Sequence, residues 1–241
     1  EHRKRFAHFG NWLAERGVSL VAPDLRGHGE SQGKRGFVKR FGDYFQDVRV
    51  LLNWISKNYP DAPVVLGAHS NGGLIAARFL QEEVGRGDLR ACVMTGPFFE
   101  IGTPPPRWQV GLVRVLAALF PSLAIPANID PALLTHNAGI VQEYAKDPLV
   151  FKTATVRWLT ETIRNQQIAV SRAGEIRLPA LVLQGLDDQI VGPALARQFY
   201  DGLGSRDKHW VGYEGLNHEI LNELNREKVY QDILHWLDRT V

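Results

Sequence analysis

Val64-Val65-Leu66-Gly67-Ala68-His69-Ser70-Asn71-Gly72-Gly73-Leu74-Ile75-Ala76-Ala77 is the stretch that decides the fold. Its opening apolar run, Pro63 to Leu66, reads as a buried strand. Its close, with Leu74, Ile75 and Phe79 spaced for one helical face, reads as a helix. A chain that turns from strand to helix in so few residues must adopt a strained backbone. Gly72 and Gly73 lack the Cβ that would keep the following helix away. Such a turn lifts Ser70 above the sheet edge, beside helix N–H groups that can face a developing anion. This is the nucleophile-elbow pattern with one departure, since Ala68 stands two before the serine where glycine is usual. On these residues alone, a turn whose serine merely caps the helix competes with that reading.

On either side of this stretch, apolar runs and helical stripes alternate. Arg3 to Arg16 carries Phe6, Phe9, Trp12 and Leu13 in a helical stripe that stops at Gly17, and Val18 to Ala22 reads as a short buried strand. Pro23 to Ser31 is a Gly-rich loop without the lysine or spacing of a phosphate loop. A helix near Tyr44 to Tyr59 follows, with Val48, Leu51, Leu52 and Ile55 on one face, and Ala91 to Thr95 reads as another strand. This alternation predicts parallel βαβ units with both sheet faces covered. From Pro97 the pattern changes. Pro104-Pro105-Pro106 breaks the chain, and helical segments run to about Ile176 with no clear strand. The alternation then resumes with a strand at Ala180–Leu183, a helix at Pro193–Tyr200, a strand at Lys208–Tyr213 and a last helix from about Glu227. The expected division is core at 1–97, helical cap at 98–176 and core again at 177–241.

Bulk properties narrow the class. The chain has 241 residues, 44% hydrophobic and 22% charged, with a formal net charge of +2. It can bury a full core, and the small charge gives no reason to expect nucleic acid. Cys92, the single cysteine, cannot form an intrachain disulfide and reads as a buried strand residue. No apolar run approaches the ~20 residues of a membrane span. His2, His8, His136, His209 and His235 have no metal-ligand spacing, and neither metal nor cofactor is expected.

A serine nucleophile needs a base, and the base needs an acid to hold its tautomer. Both should follow strands at the same sheet edge, in the order Ser, Asp, His. The strand at Leu181–Leu183 runs into Gln184-Gly185-Leu186-Asp187-Asp188-Gln189-Ile190-Val191, and the strand at Lys208–Tyr213 runs into Glu214-Gly215-Leu216-Asn217-His218-Glu219. His69 is expected to pack or hydrogen-bond beneath the turn and His28 to fix its own loop.

The sequence resembles the α/β-hydrolase superfamily, most closely its monoacylglycerol lipase and lysophospholipase branch. The resemblance rests on Asp24-Leu25-Arg26-Gly27-His28-Gly29-Glu30-Ser31, His69-Ser70-Asn71-Gly72-Gly73, Asp147-Pro148-Leu149-Val150, Gly185-x-x-Asp188-x-x-Val191 and Tyr213-Glu214-Gly215-x-x-His218. It implies an α/β fold, a doubly wound and mostly parallel sheet with an inserted helical cap. It implies Ser70 as nucleophile, His218 as general base then acid, and Asp188 as orienting carboxylate, with Asp187 the rival. The N–H of Asn71 would be one oxyanion donor. By the same resemblance the second donor and the first sheet strands belong before Glu1.

The implied reaction is hydrolysis of a lipid ester, a monoacylglycerol or a lysophospholipid, through an acyl-serine. A thioesterase or amidase with the same triad, or a silent hydrolase-like scaffold, are the alternatives. The expected partner is a small lipid ester, with peripheral membrane contact through the cap, and the expected compartment is the cytoplasm or its membrane periphery. Trp108 to Phe120 reads either as the cap's own core or as an acyl tunnel or membrane-facing surface.

Overall fold

The computed structural model describes residues 2–83, 87–102, 106–127 and 129–241. Its centre is a parallel sheet of four strands, β1 (Val64–His69), β2 (Leu89–Thr95), β5 (Ala180–Gly185) and β6 (Lys208–Tyr213), in the order β1-β2-β5-β6. Two further strands, β3 (Ala124–Pro126) and β4 (Thr153–Thr155), pair antiparallel outside it. The helices are α1 (Ala7–Ala14), α2 (Asp43–Asn58), α3 (Asn71–Glu82), α4 (Arg107–Leu119), α5 (Ala138–Lys146), α6 (Val156–Ser171), α7 (Pro193–Gly202) and α8 (Arg226–Thr240).

Parallel strands read as continuous apolar runs because both faces are covered, and here the two faces feed two cores. Along β2, Cys92 and Met94 enter one core while Ala91 and Val93 enter the other. Along β5, Ala180 and Val182 separate from Leu181 and Leu183 in the same way. The first core is roofed by α2, α3, α6 and α7 through residues such as Leu52, Phe79, Ala169 and Phe199. The second is closed by α1 and α8 through Phe9, Leu13, Val229 and Ile233. Each fully buried large side chain contributes about 1.5–3 kcal/mol to that packing. Cys92 lies wholly inside, and burial pushes its thiol up to about 12, so it carries no thiolate at neutral pH.

Two expectations need correction. Val18 to Ala22 forms no strand or helix, and Leu20 and Val21 are exposed. An apolar run becomes a strand only beside a backbone it can pair with, and among the described residues none flanks it. The stretch between β2 and β5, read as strandless, holds β3 and β4. Three-residue strands have no periodicity to betray them. Thr155 fastens them to the body, its N–H and Oγ both donating to Gly36 O at 3.0 and 2.9 Å. Of the Pro104–Pro106 break, residues 104 and 105 lie outside the described residues, and Pro106 immediately precedes α4.

Helix α4 packs on α6 with Val110 and Val113 facing Thr160 and Ile163, and Ala117 is buried. Its other side leaves Trp108, Leu112, Val115 and Leu119 exposed, 67% for Trp108 and 66% for Leu119. That spacing of four, three and four makes one continuous stripe. One face of Trp108–Phe120 thus packs on α6 and the other is exposed. Among the described residues, no helix is long and apolar enough to cross a membrane.

Candidate active site

Strand β1 delivers Ser70 to the carboxyl edge of the sheet in a conformation few side chains adopt. Ser70 has φ +52° and ψ −121°, and among the described residues it is the one non-glycine at positive φ. Such a residue costs about 1–3 kcal/mol and persists only where its surroundings over-determine it. They do so here. Ser70 N–H donates to Thr95 O (3.0 Å), and Ser70 O accepts from the N–H groups of Gly73 (2.9 Å), Leu74 (3.3 Å) and Phe98 (3.0 Å). A Cβ on Gly73 would lie 2.8 Å from that of Pro97, so this glycine lets the segment after β2 close over the elbow. Gly72 has ordinary room, with the Ala68 methyl 3.8 Å from where its Cβ would be. Alanine at 68 is therefore accommodated. Asn71 opens α3, and an N–H in a helix's first turn has no intrahelical acceptor.

His218 comes from the turn after β6 and Asp188 from the turn after β5. Ser70 Oγ–H donates to His218 Nε2 at 2.9 Å, and His218 Nδ1–H donates to Asp188 Oδ2 at 2.7 Å. Both partners of the serine are buried, at 3% and 5% exposure. Asp188 Oδ1 accepts from the N–H groups of Ile190 (2.9 Å) and Val191 (3.0 Å). Asp187 instead sits exposed in the turn, its N–H donating to Leu216 O at 3.2 Å. The serine, the histidine and one of the two aspartates therefore meet, from three separate strand ends.

The other histidines fall elsewhere. His69 Nδ1 is 3.0 Å from both Thr95 O and Thr95 Oγ1, and its ring packs 4.8 Å from the ring of His218. His28 Nδ1–H donates to Arg26 O at 3.1 Å and ties its own loop. His2 Nε2 lies 2.7 Å from Asp147 Oδ2, which joins the amino-terminal segment to the turn after α5. Burial pushes the Asp147 carboxyl upward, but the Leu149 N–H and His2 outweigh it and hold it below the usual carboxylate range. Among the described residues, no group of three or more His, Cys, Asp or Glu side chains could hold a metal ion.

Four contributors escaped the sequence reading. Two are carboxylates that fasten the histidine's turn. Glu219, fully buried, pairs with the Arg5 guanidinium, accepts from Asn222 Nδ2 (2.6 Å) and donates its N–H to Leu134 O (2.7 Å). Glu223 accepts from the N–H groups of Asn217 (3.0 Å) and His136 (3.0 Å) and from Thr135 Oγ (3.1 Å). The third is Gly96, whose missing side chain leaves room for the imidazole. The fourth is Gln184, whose Nε2 donates to Asp188 Oδ2 at 3.0 Å. A polar residue ending the apolar strand Ala180–Leu183 was the one visible signal among them.

Residues 1–225 match the profile of the family described as serine aminopeptidase, S33. A monoacylglycerol lipase of Mycolicibacterium smegmatis is 28% identical over 239 residues, covering 98% of this chain and 84% of that protein. The monoglyceride lipase of Mus musculus is 30% identical over 240 residues, covering 98% and 77%. A crystal structure of Paleococcus ferrophilus monoacylglycerol lipase superposes with a TM-score of 0.91 at 27% identity, covering all of this chain and 91% of the other. The parallel sheet with its flanking helices agrees with these similarities, and the chain belongs to the serine aminopeptidase, S33 family, with the α/β-hydrolase fold.

Proposed function

We propose that this protein hydrolyses carboxylic esters of lipids through an acyl-serine, with a single-chain ester such as a monoacylglycerol or lysophospholipid as substrate. The reading is carried by one observation, the unbroken run of hydrogen bonds from Ser70 Oγ through His218 to Asp188. Ser70 Oγ attacks the ester carbonyl while His218 Nε2 takes its proton. Asp188 holds the imidazole by Nδ1 and stabilises its cation. The N–H of Asn71 faces the oxyanion, and losing such a donor costs about 10²–10³ in rate. His218 then protonates the departing alcohol, and a water that gives its proton to His218 releases the fatty acid.

The substrate class follows the names of the relatives, two of them lipases of monoacylglycerols. We take residues 98–176 as a cap over the site. The exposed stripe Trp108, Leu112, Val115 and Leu119 is the part of that cap we expect to meet a lipid surface. Arg107 and Arg114 are the charged residues between positions 101 and 129, with no acid among them, which suits an anionic interface.

The family's description as an aminopeptidase favours a second reading, amide cleavage by the same residues. Turnover of matched ester, thioester and amide substrates separates the two. The decisive experiment is Ser70→Ala together with labelling by a fluorophosphonate probe. The variant should lose both ester turnover and labelling, and wild-type turnover in Ser70→Ala ends the proposal.

A further inference from the structure

Asp188 is held by more than the histidine. Its Oδ2, the oxygen that takes His218 Nδ1–H, also accepts from Gln184 Nε2, which donates in addition to Gly185 O at 3.1 Å. Gln184 is the penultimate residue of β5 and fully buried. Its Oε1 is buried with no hydrogen-bond partner. An unpaired buried carbonyl costs stability that an apolar side chain of the same length would not. The amide cannot be turned the other way, because Oε1 would then meet the carboxylate oxygen, acceptor against acceptor. What the amide offers in return is one N–H directed at the charge that faces the imidazole.

We propose that Gln184 is a positioning residue for proton transfer, acting through Asp188 to set the pH at which His218 gains its proton. The backbone N–H groups of Ile190 and Val191 hold Oδ1, and Gln184 holds Oδ2 in line with Nδ1. An N–H bonded to Oδ2 also draws on the negative charge there, leaving less of it to stabilise the imidazolium. The titratable groups near His218 are engaged elsewhere or stacked on it. His69 packs against its ring, Glu219 is turned to Arg5, and Glu223 is turned to Asn217 N–H and His136. Gln184 is thus the neutral side chain that competes with the imidazole for the same oxygen.

The inference rests on the serine-hydrolase reading and is tested beside it. In Gln184→Met the N–H is gone and so is the unpaired carbonyl. The protein should melt no lower than wild type, label at Ser70, and show the acid limb of kcat/KM against pH displaced upward by about half a unit to one unit. Activity at pH values below the wild-type limb should fall by about three- to tenfold, as that displacement requires. Gln184→Leu, which also lacks the donor, should displace the limb in the same direction and serves if the methionine variant does not fold. A limb that stays in place in a folded variant overturns the inference, as does failure of both variants to fold. If Ser70→Ala keeps its turnover, the reading itself has failed; if Ser70→Ala is inactive and the limb stays, this inference alone has.

Discussion

Gly96 and His218 are in such close contact that neither leaves room for a methyl group between them. A Cβ on Gly96 would stand 3.3 Å from both Nδ1 and Cε1 of the imidazole and 3.2 Å from His218 O, and Gly96 itself is at φ +49°. The end of β2 therefore forms the wall against which the ring rests, although it contributes no reacting atom.

Gly96→Ala should consequently damage turnover more than substrate binding. The methyl must push the ring that meets both Ser70 and Asp188 by a few tenths of an ångström, and since a misplacement of about 1 Å costs on the order of 10²-fold in rate, this smaller one should cost roughly tenfold. Positive φ adds a stability penalty for alanine of about 1 kcal/mol or more. Steady-state kinetics and a thermal melt should show kcat falling about tenfold further than KM moves. An alanine variant with wild-type kcat would show the wall to be unimportant.

The two neighbouring aspartates give an internal comparison. Asp188→Asn should lower kcat by about 10⁴, the size expected when the orienting carboxylate is lost. Asp187→Asn, in an exposed turn, should leave kcat within about twofold, since surface changes away from special features alter little. Parallel assays on one soluble ester decide it, and equal losses in both would reassign the acid.

Asp24 should matter to stability rather than chemistry. Its buried carboxylate accepts from Arg3 N–H (2.7 Å), the Arg3 guanidinium (2.6 Å) and Glu30 N–H (2.8 Å). Burial pushes this carboxyl upward, but those donors outweigh it and its pKa lies below the ordinary 3.8. A group depressed in the folded state contributes stability above its unfolded pKa and loses it as pH falls through the folded one. Asp24→Asn should therefore cost about 1–3 kcal/mol at neutral pH, with the deficit shrinking below about pH 4. Denaturant melts at pH 7 and pH 3.5 should show the two proteins converging on acidification.

The stripe on α4 should govern attachment to lipid. Leu112→Asp with Leu119→Asp interrupts the apolar face while leaving Val113 and Ala117, which pack inward. Sedimentation with anionic vesicles should fall at least tenfold, with hydrolysis of a short soluble ester unchanged. Undiminished sedimentation would remove the stripe from the lipid contact.

Much of this arrangement could be read from the chain before any coordinates. β5, which leads to Asp188, is buried throughout and reads as a continuous apolar run, whereas β1 and β6, at the sheet edges, are mostly half-buried; in all three the turn just past the strand is where the site lies. Val18 to Ala22 looked the same and is no strand, because an apolar run does not name the backbone that should pair with it. β3 and β4 were hidden by their length. Gly96 was illegible for another reason: its constraint comes from a ring 122 positions away in sequence, and nothing in its own neighbourhood announces that contact. Glu219 and Glu223 have nothing in their own neighbourhood that marks them as buried braces, and both are buried.

The pairing of Arg5 with Glu219 has a consequence for how the protein fails. Arg5 lies in the short turn just ahead of α1, and Glu219 adjoins the histidine. Local opening of that turn therefore strips the guanidinium from a buried carboxylate whose immediate neighbour is the proton carrier. Heat or denaturant should extinguish turnover in a partial opening of this corner while the sheet and both cores are still intact, so that inactivation runs ahead of melting.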